Sequence, residues 1–112
     1  MTTIQEHLRR LDIGNRYKGY RMIIIAVKLG MEDENSLQCA QELLYKPIAQ
    51  QLGCSFRSVE RDIRTVIAHA WSYNPAYLSH LAGFSLPYPP TVCQFLDILV
   101  SFSLREQEST SA

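Results

Sequence analysis

The chain has 112 residues, 46% of them hydrophobic, and its eleven basic residues balance eleven acidic ones for a formal net charge of zero. That length and composition fit one compact domain and exclude a disordered chain, and the missing net charge counts against indiscriminate nucleic-acid binding through bulk charge. Cys39, Cys54 and Cys93 form no C-x-x-C pair, so neither a disulfide framework nor a zinc site is signalled. The longest apolar run, residues 22–27, is too short for a bilayer and the polar start has no signal-peptide character, so a reducing cytoplasm is the expected setting.

Ile4, Leu8 and Leu11 at helical spacing predict a short helix over residues 3–12, stopping at the Gly14-Asn15 turn signal. Residues 17–29 are apolar through their middle. The run 23–27 alone also fits a buried strand, but its length and flanking lysines favour a buried helix that Gly30 ends. An acidic linker (Glu32, Asp33, Glu34) leads to Ser36, which is placed to cap a helix through Leu37, Ala40, Leu43 and Leu44. Pro47 then forces a break at Lys46 while suiting the first turn of the next helix.

Residues 44–64 read as two helices joined by a tight turn. Ala49 supplies a small side chain where they cross, Gly53 a permissive backbone where the chain reverses, and Ser55 an N-cap for the second helix. Phe56, Val59, Ile63, Val66, Ile67, Ala70 and Trp71 follow at spacings of three and four, so this helix is long and amphipathic. The predicted helix-turn-helix covers about residues 47–73. Asn74-Pro75 closes it, and residues 76–82 make a further short helix before Gly83. Residues 85–90 form a rigid, proline-rich loop. Thr91 caps a last helix whose apolar positions, Val92, Phe95, Leu96, Ile98, Leu99, Phe102 and Leu104, run almost all round it, before a polar tail over 105–112 that frays. No segment shows the strict alternation of a sheet, so the fold is predicted to be all-α, six or seven helices in a single domain spanning residues 1–112. Trp71, Tyr20, Phe84 and Phe95 read as core, with Trp71 the ring whose loss is felt most.

Charge is segregated despite the zero sum. Residues 57–64 hold Arg57, Arg61 and Arg64 against Glu60 and Asp62, and residues 16–28 hold Arg16, Lys18, Arg21 and Lys28 with no acid. On a helix Arg57, Arg61 and Arg64 share one face, roughly opposite the Val59, Ile63, Val66 stripe, and that face can enter a major groove. Arginine's planar fork matches guanine's two acceptors, and Glu60 can accept from the cytosine amino group, which together suit a G·C-containing site. The bland alternative is a solvated face on which Glu60 merely pairs with Arg64. Lys18, Arg21, Lys28 and Lys46 are candidates for phosphate, and Ser55 for phosphate as well as capping. His7, His69 and His80 have no carboxylate or cysteine at ligand spacing. With no phosphate loop, nucleophile elbow or paired carboxylates either, an enzyme, a metal site and a cofactor are not expected.

Ile13-Gly14, Lys18-Gly19-Tyr20, Leu44-Tyr45, Pro47, Ile48-Ala49, Val59-Glu60-Arg61, Ile63-Arg64, Ala70-Trp71-Ser72 and Pro90-Thr91 with Phe95 occur in an order that resembles one family. It is the DNA-binding effector domain of the sporulation stage zero protein A response regulators, over roughly residues 12–104. The resemblance implies an all-helical transcription regulator that binds short elements of double-stranded DNA as a tandem homodimer through its last helix, with RNA polymerase as a further partner. It implies base-reading roles for Glu60, Arg61 and Arg64, with Ser55, Arg57, Ser58, Lys46 and Lys18 as auxiliary or phosphate contacts. Three departures stand out: Ser58 where such relatives carry an arginine, Phe56 in place of a small residue, and a loop before Pro90 without lysines. The first dozen residues cannot be the phosphoacceptor receiver that usually precedes such a domain, so the chain is expected to be either a fragment or a stand-alone relative. The competing expectation is a degenerate helical module that binds another regulator instead of DNA.

Overall fold

The computed structural model describes residues 3–38 and 44–110, with side chains placed at all of these except 34 and 108–110. Among the described residues there are six α-helices, one 3₁₀ turn and no strand: α1 (Ile4–Arg10), α2 (Lys18–Glu32), the 3₁₀ turn (Glu34–Leu37), α3 (Lys46–Leu52), α4 (Phe56–Tyr73), α5 (Pro75–Ala82) and α6 (Val92–Thr110). The all-helical expectation holds. α2 occupies the middle of the packing, against α1, α3, α4, α6 and the 3₁₀ turn, while α4, α5 and α6 close round the other side.

The helix ends follow from local chemistry, with four corrections. α1 starts at Thr3, whose hydroxyl accepts from the Glu6 amide at 3.3 Å, but it stops before Gly14. Asp12 adopts a left-handed φ of 61°, and the Asp12 and Ile13 amides turn back to the carbonyls of Arg9 and Leu8 at 2.9 Å each. This is the reversed hydrogen-bonding of a helix C-terminus that glycine usually supplies. Gly30, expected to end α2, lies inside it and is buried. Ser36 does not cap a helix: Asp33 caps the 3₁₀ turn by accepting from the Asn35 amide at 3.0 Å, and the Ser36 hydroxyl is buried within that turn. The helix predicted onward from Ser36 falls in part on 39–43, outside the described residues, as does Cys39. Lys46 is helical despite Pro47, because a widened turn at Leu44 and Tyr45 carries the chain into α3, where the missing proline N–H is one of the amides that need no intrahelical acceptor.

Buried leucines, isoleucines and valines from every helix share one core, and Phe95 of α6 is the largest ring fully inside it. Trp71 and Tyr20 are half-buried against its edge, and Phe84 is 62% exposed, so three of the four rings read as core lie at or beyond the margin. α6 is capped by Thr91 as expected: its hydroxyl accepts from the Gln94 amide at 3.2 Å while the Gln94 side chain accepts from the Thr91 amide at 2.9 Å. The predicted fraying beyond Arg105 does not occur, since α6 runs to Thr110. Arg105 donates to the Leu81 carbonyl at 3.2 Å, and Glu106 meets the buried His7 at 2.8 Å.

Two histidines gain the carboxylate partners that their sequence spacing did not show. His7 lies between Glu106 and the Tyr77 hydroxyl, 2.7 Å away, tying α1 to α5 and α6. His69 of α4 reaches Asp12 at 3.0 Å, and Arg16 donates to the same carboxylate oxygen at 2.6 Å. The hydrogen bond from His69 is the chief reason the Asp12 carboxyl is held below its ordinary range, with Arg16 adding to it. These bonds offset the strain of a left-handed non-glycine residue, of order 1 kcal/mol.

α2 approaches α4 at a residue without a side chain. A Cβ on Gly19 would stand 2.6 Å from the Asp62 carbonyl oxygen and 2.8 Å from Val66 Cγ2, distances that backbone cannot yield to. Gly19→Ala should therefore cost about 1–3 kcal/mol in urea unfolding, the usual range for overpacking. Gly14→Ala, with nothing within 4 Å of its Cβ position, should stay within about 0.5 kcal/mol of the parent. Equal effects would mean that the close approach is not there.

Asp12 makes a second test. A carboxyl depressed on folding contributes stability that is present above its unfolded pKa of about 3.9 and is lost as the pH falls through the lower folded value. Asp12→Asn keeps a residue that tolerates the left-handed backbone and removes the charge. Its unfolding midpoint should lie below that of the parent at neutral pH, and the gap should close on acidification below about pH 4. A gap that is independent of pH would contradict the Asp12 pairing.

Candidate DNA-binding surface

α3 ends where Gly53 takes φ 68° and ψ 40°, with the Gly53 and Cys54 amides both returning to the Ala49 carbonyl. Only a residue without Cβ makes this reversal cheaply, and two residues later Ser55 begins α4 by accepting from the Ser58 amide at 3.2 Å. Ile48 and Ala49 of α3 face the core, as do Val59, Ile63, Val66, Ile67 and Ala70 of α4. The inner side of α4 is thereby fixed in rotation, and its other side is left to solvent.

That outer side carries the predicted arginines. Arg57 is exposed, and the side chains of Arg61 and Arg64 are 69% and 71% exposed. Glu60 forms an i,i+4 ion pair with Arg64. Arg61 reaches its neighbour Asp62 at a long 3.5 Å, and Asp62 itself is largely turned inward. Three guanidiniums thus stand against one outward carboxylate. The Glu60–Arg64 pair is the bland alternative weighed for this face. An exposed pair of that kind contributes only about 0.2–0.5 kcal/mol, too little to prevent exchange for better partners. Phe56, expected on the core stripe, is instead 39% exposed at the head of the helix.

The flanking groups divide into those the fold gathers here and those it does not. Lys18 opens α2 one residue before the Gly19 contact with Asp62, which brings it to the edge of α4, and it is exposed. Lys46 opens α3 beside Tyr45, a buried phenol pushed up in pKa first by burial and then by the nearby Cys93 and Glu60. Ser55 lies at the N-terminus of α4, and the Ser58 hydroxyl is 2.9 Å from that of Ser55, engaged at the cap. Arg21 is exposed further along α2. Lys28 is not brought to this face: it lies about 15 Å along α2 from Lys18, beside Thr3, Ile4 and Ser103 on the α1 and α6 side. Among the described residues no group of three or more His, Cys, Asp and Glu side chains is placed to hold a metal ion, and no helix is long and apolar enough to cross a membrane. Cys54 and Cys93 are free thiols.

The geometry defines an all-helical domain that turns a capped, arginine-bearing helix to solvent. Comparison with known families gives the particular one: residues 4–102 match the family described as "Sporulation initiation factor Spo0A C terminal". The chain belongs to that family, one of DNA-binding regulatory domains of sporulation initiation and not of enzymes.

Proposed function

We propose that this domain is a sequence-specific transcription regulator that reads a short G·C-containing promoter element with α4, the second helix of a helix-turn-helix formed with α3. The observation that carries the reading is the outer face of residues 57–64, which stays basic and exposed after the fold has taken what it needs. Arg61 and Arg64 donate to guanine O6 and N7, and Glu60, released from Arg64, accepts from the cytosine amino group. Arg57, Ser55, Ser58, Lys46 and Lys18 hold the flanking phosphates, with the α4 amides behind Ser55 adding partial positive charge. Phosphate contacts set position and base contacts set sequence, so zero net charge favours discrimination over bulk affinity.

Replacing Arg61 or Arg64 by alanine should cost about 1–3 kcal/mol on the cognate duplex and little on scrambled DNA, read by anisotropy titration at fixed salt. Equal losses on both duplexes would make these arginines phosphate contacts. No loss on either would remove α4 as the reading helix.

The tandem arrangement belongs to the same proposal. α6 spends most of its apolar circumference inside the domain, and Phe102, half-buried, meets His7 edge-on at 4.9 Å between ring centres. The apolar surface left for a second copy is the groove between α6 and the 84–90 loop, where the exposed Phe84 and Tyr88 flank Ile98. Phe84→Glu should abolish cooperative filling of a duplex with two adjacent elements while leaving affinity for one element intact. Independent filling of both elements by the unaltered protein would contradict the tandem contact.

A further inference from the structure

The first residue of α4 is a phenylalanine that the fold does not use. Phe56 is 39% exposed and belongs neither to the buried core nor to the half-buried side chains packed against it. Among the described residues the other large exposed hydrophobics are Tyr73, at the opposite end of α4, and Phe84 and Tyr88, which line the groove beside α6. Positions i, i+4 and i+8 of an α-helix form one row that drifts by about 40° per step. Phe56, Glu60 and Arg64 make such a row, and Arg57 with Arg61 makes the row beside it. At Phe56 the row starts beside the azimuth of the buried Ile63 and Ile67 and turns outward through Glu60 to Arg64, and the exposed part of the ring lies at the end of the helix that approaches base edges most closely in this mode of binding.

The major-groove edges of the bases carry hydrogen-bonding groups and one apolar feature, the C5-methyl of thymine. A phenyl ring in this row gains nothing from a phosphate and loses hydration beside an unmatched polar edge. We infer that Phe56 is a specificity-determining residue, packing on a thymine methyl next to the G·C step read by Glu60 and Arg64; this rests on α4 being the reading helix. The element would then require a T·A pair at one position flanking its guanine contacts, a preference that arginines alone would not impose.

The test uses a duplex enriched by the full chain from a randomised pool, resynthesised with each thymine replaced in turn by deoxyuridine, which lacks only the methyl. One replacement should weaken binding of the parent protein about fourfold, the factor corresponding to roughly 0.8 kcal/mol for one buried methyl-sized group. Phe56→Ala, checked for an unchanged unfolding transition, should bind the parent and uracil duplexes equally, and Phe56→Leu should restore part of the difference. If all uracil duplexes match the parent duplex, or if Phe56→Ala keeps the penalty, the inference is overturned. The two proposals fail separately: enrichment that depends on Arg61 and Arg64 without any uracil penalty removes only the role of Phe56, whereas a pool that yields no enriched sequence removes both.

Discussion

The exposed face of α4 exists because its other face is gripped by bare backbone. At Gly19 the axis of α2 comes close enough to the Asp62 carbonyl and Val66 that no side chain fits between. At the other end of α2, a Cβ on Gly30 would be 2.8 Å from Val100 Cγ2 of α6. α2 is thus drawn against two long helices at once, and Ile23, Ala26 and Val27 fill the space between these points. Such contacts leave little freedom for rotation of α4 about its own axis, since interiors are packed near crystal density. The side of α4 that carries Arg57, Arg61 and Arg64 is consequently held toward solvent. The same approach sets Lys18, the residue before Gly19, at the edge of that side. Packing and the candidate interface are two consequences of one constraint.

What was legible in the sequence was local. Gly53, Ser55 and Thr91 act through partners within a few residues, and the periodicity of Val59, Ile63, Val66 and Ala70 reports which side of α4 is buried. What was not legible depends on partners far along the chain. Gly30 resembles a helix stop, yet its purpose is contact with Val100, seventy residues later. His7 and His69 looked isolated because Glu106 and Asp12 reach them only through the fold. The polar stretch after Leu104 looked like a fraying tail, but Arg105 and Glu106 are the residues that fasten the end of α6 to α5 and α1. The left-handed residue after α1 is Asp12 and not a glycine, because hydrogen bonds from Arg16 and His69 compensate for a conformation that glycine adopts more easily. Phe56 matched the apolar spacing of α4 and still missed the core, since a helix longer than the body it packs on carries its stripe past the edge. For the site itself, Arg57, Arg61 and Arg64 could be assigned to one outward surface from spacing alone, and their exposure agrees with it. That Tyr45 and Cys93 lie close to it could not.

Electrostatics reconcile a neutral chain with a nucleic-acid partner. Eleven positive and eleven negative side chains cancel only in sum, and several carboxylates are engaged by the protein's own groups: Asp12 with His69 and Arg16, Glu106 with His7, and the mostly covered Asp62 with Arg61. Exposed over residues 57–64 are three guanidiniums, against Glu60, which is paired with Arg64 by a bond weak enough to exchange, and the mostly covered Asp62. On the proposed reading a domain built this way would have modest affinity for DNA in general. Most of its discrimination would come from base edges, with the supporting phosphate contacts felt equally on every sequence.

If arginines of α4 take hold of guanine in the major groove, methylation of guanine N7 should block them. Methylation places a group on the acceptor the fork requires and leaves the phosphates and the base pairing in place. On an enriched duplex treated so that each molecule carries about one such methyl, the account predicts that one or two guanines within the element are excluded from the bound fraction. The Arg61→Ala or Arg64→Ala protein should lose that exclusion at one of them. Bound and unbound fractions with the same methylation pattern would contradict it.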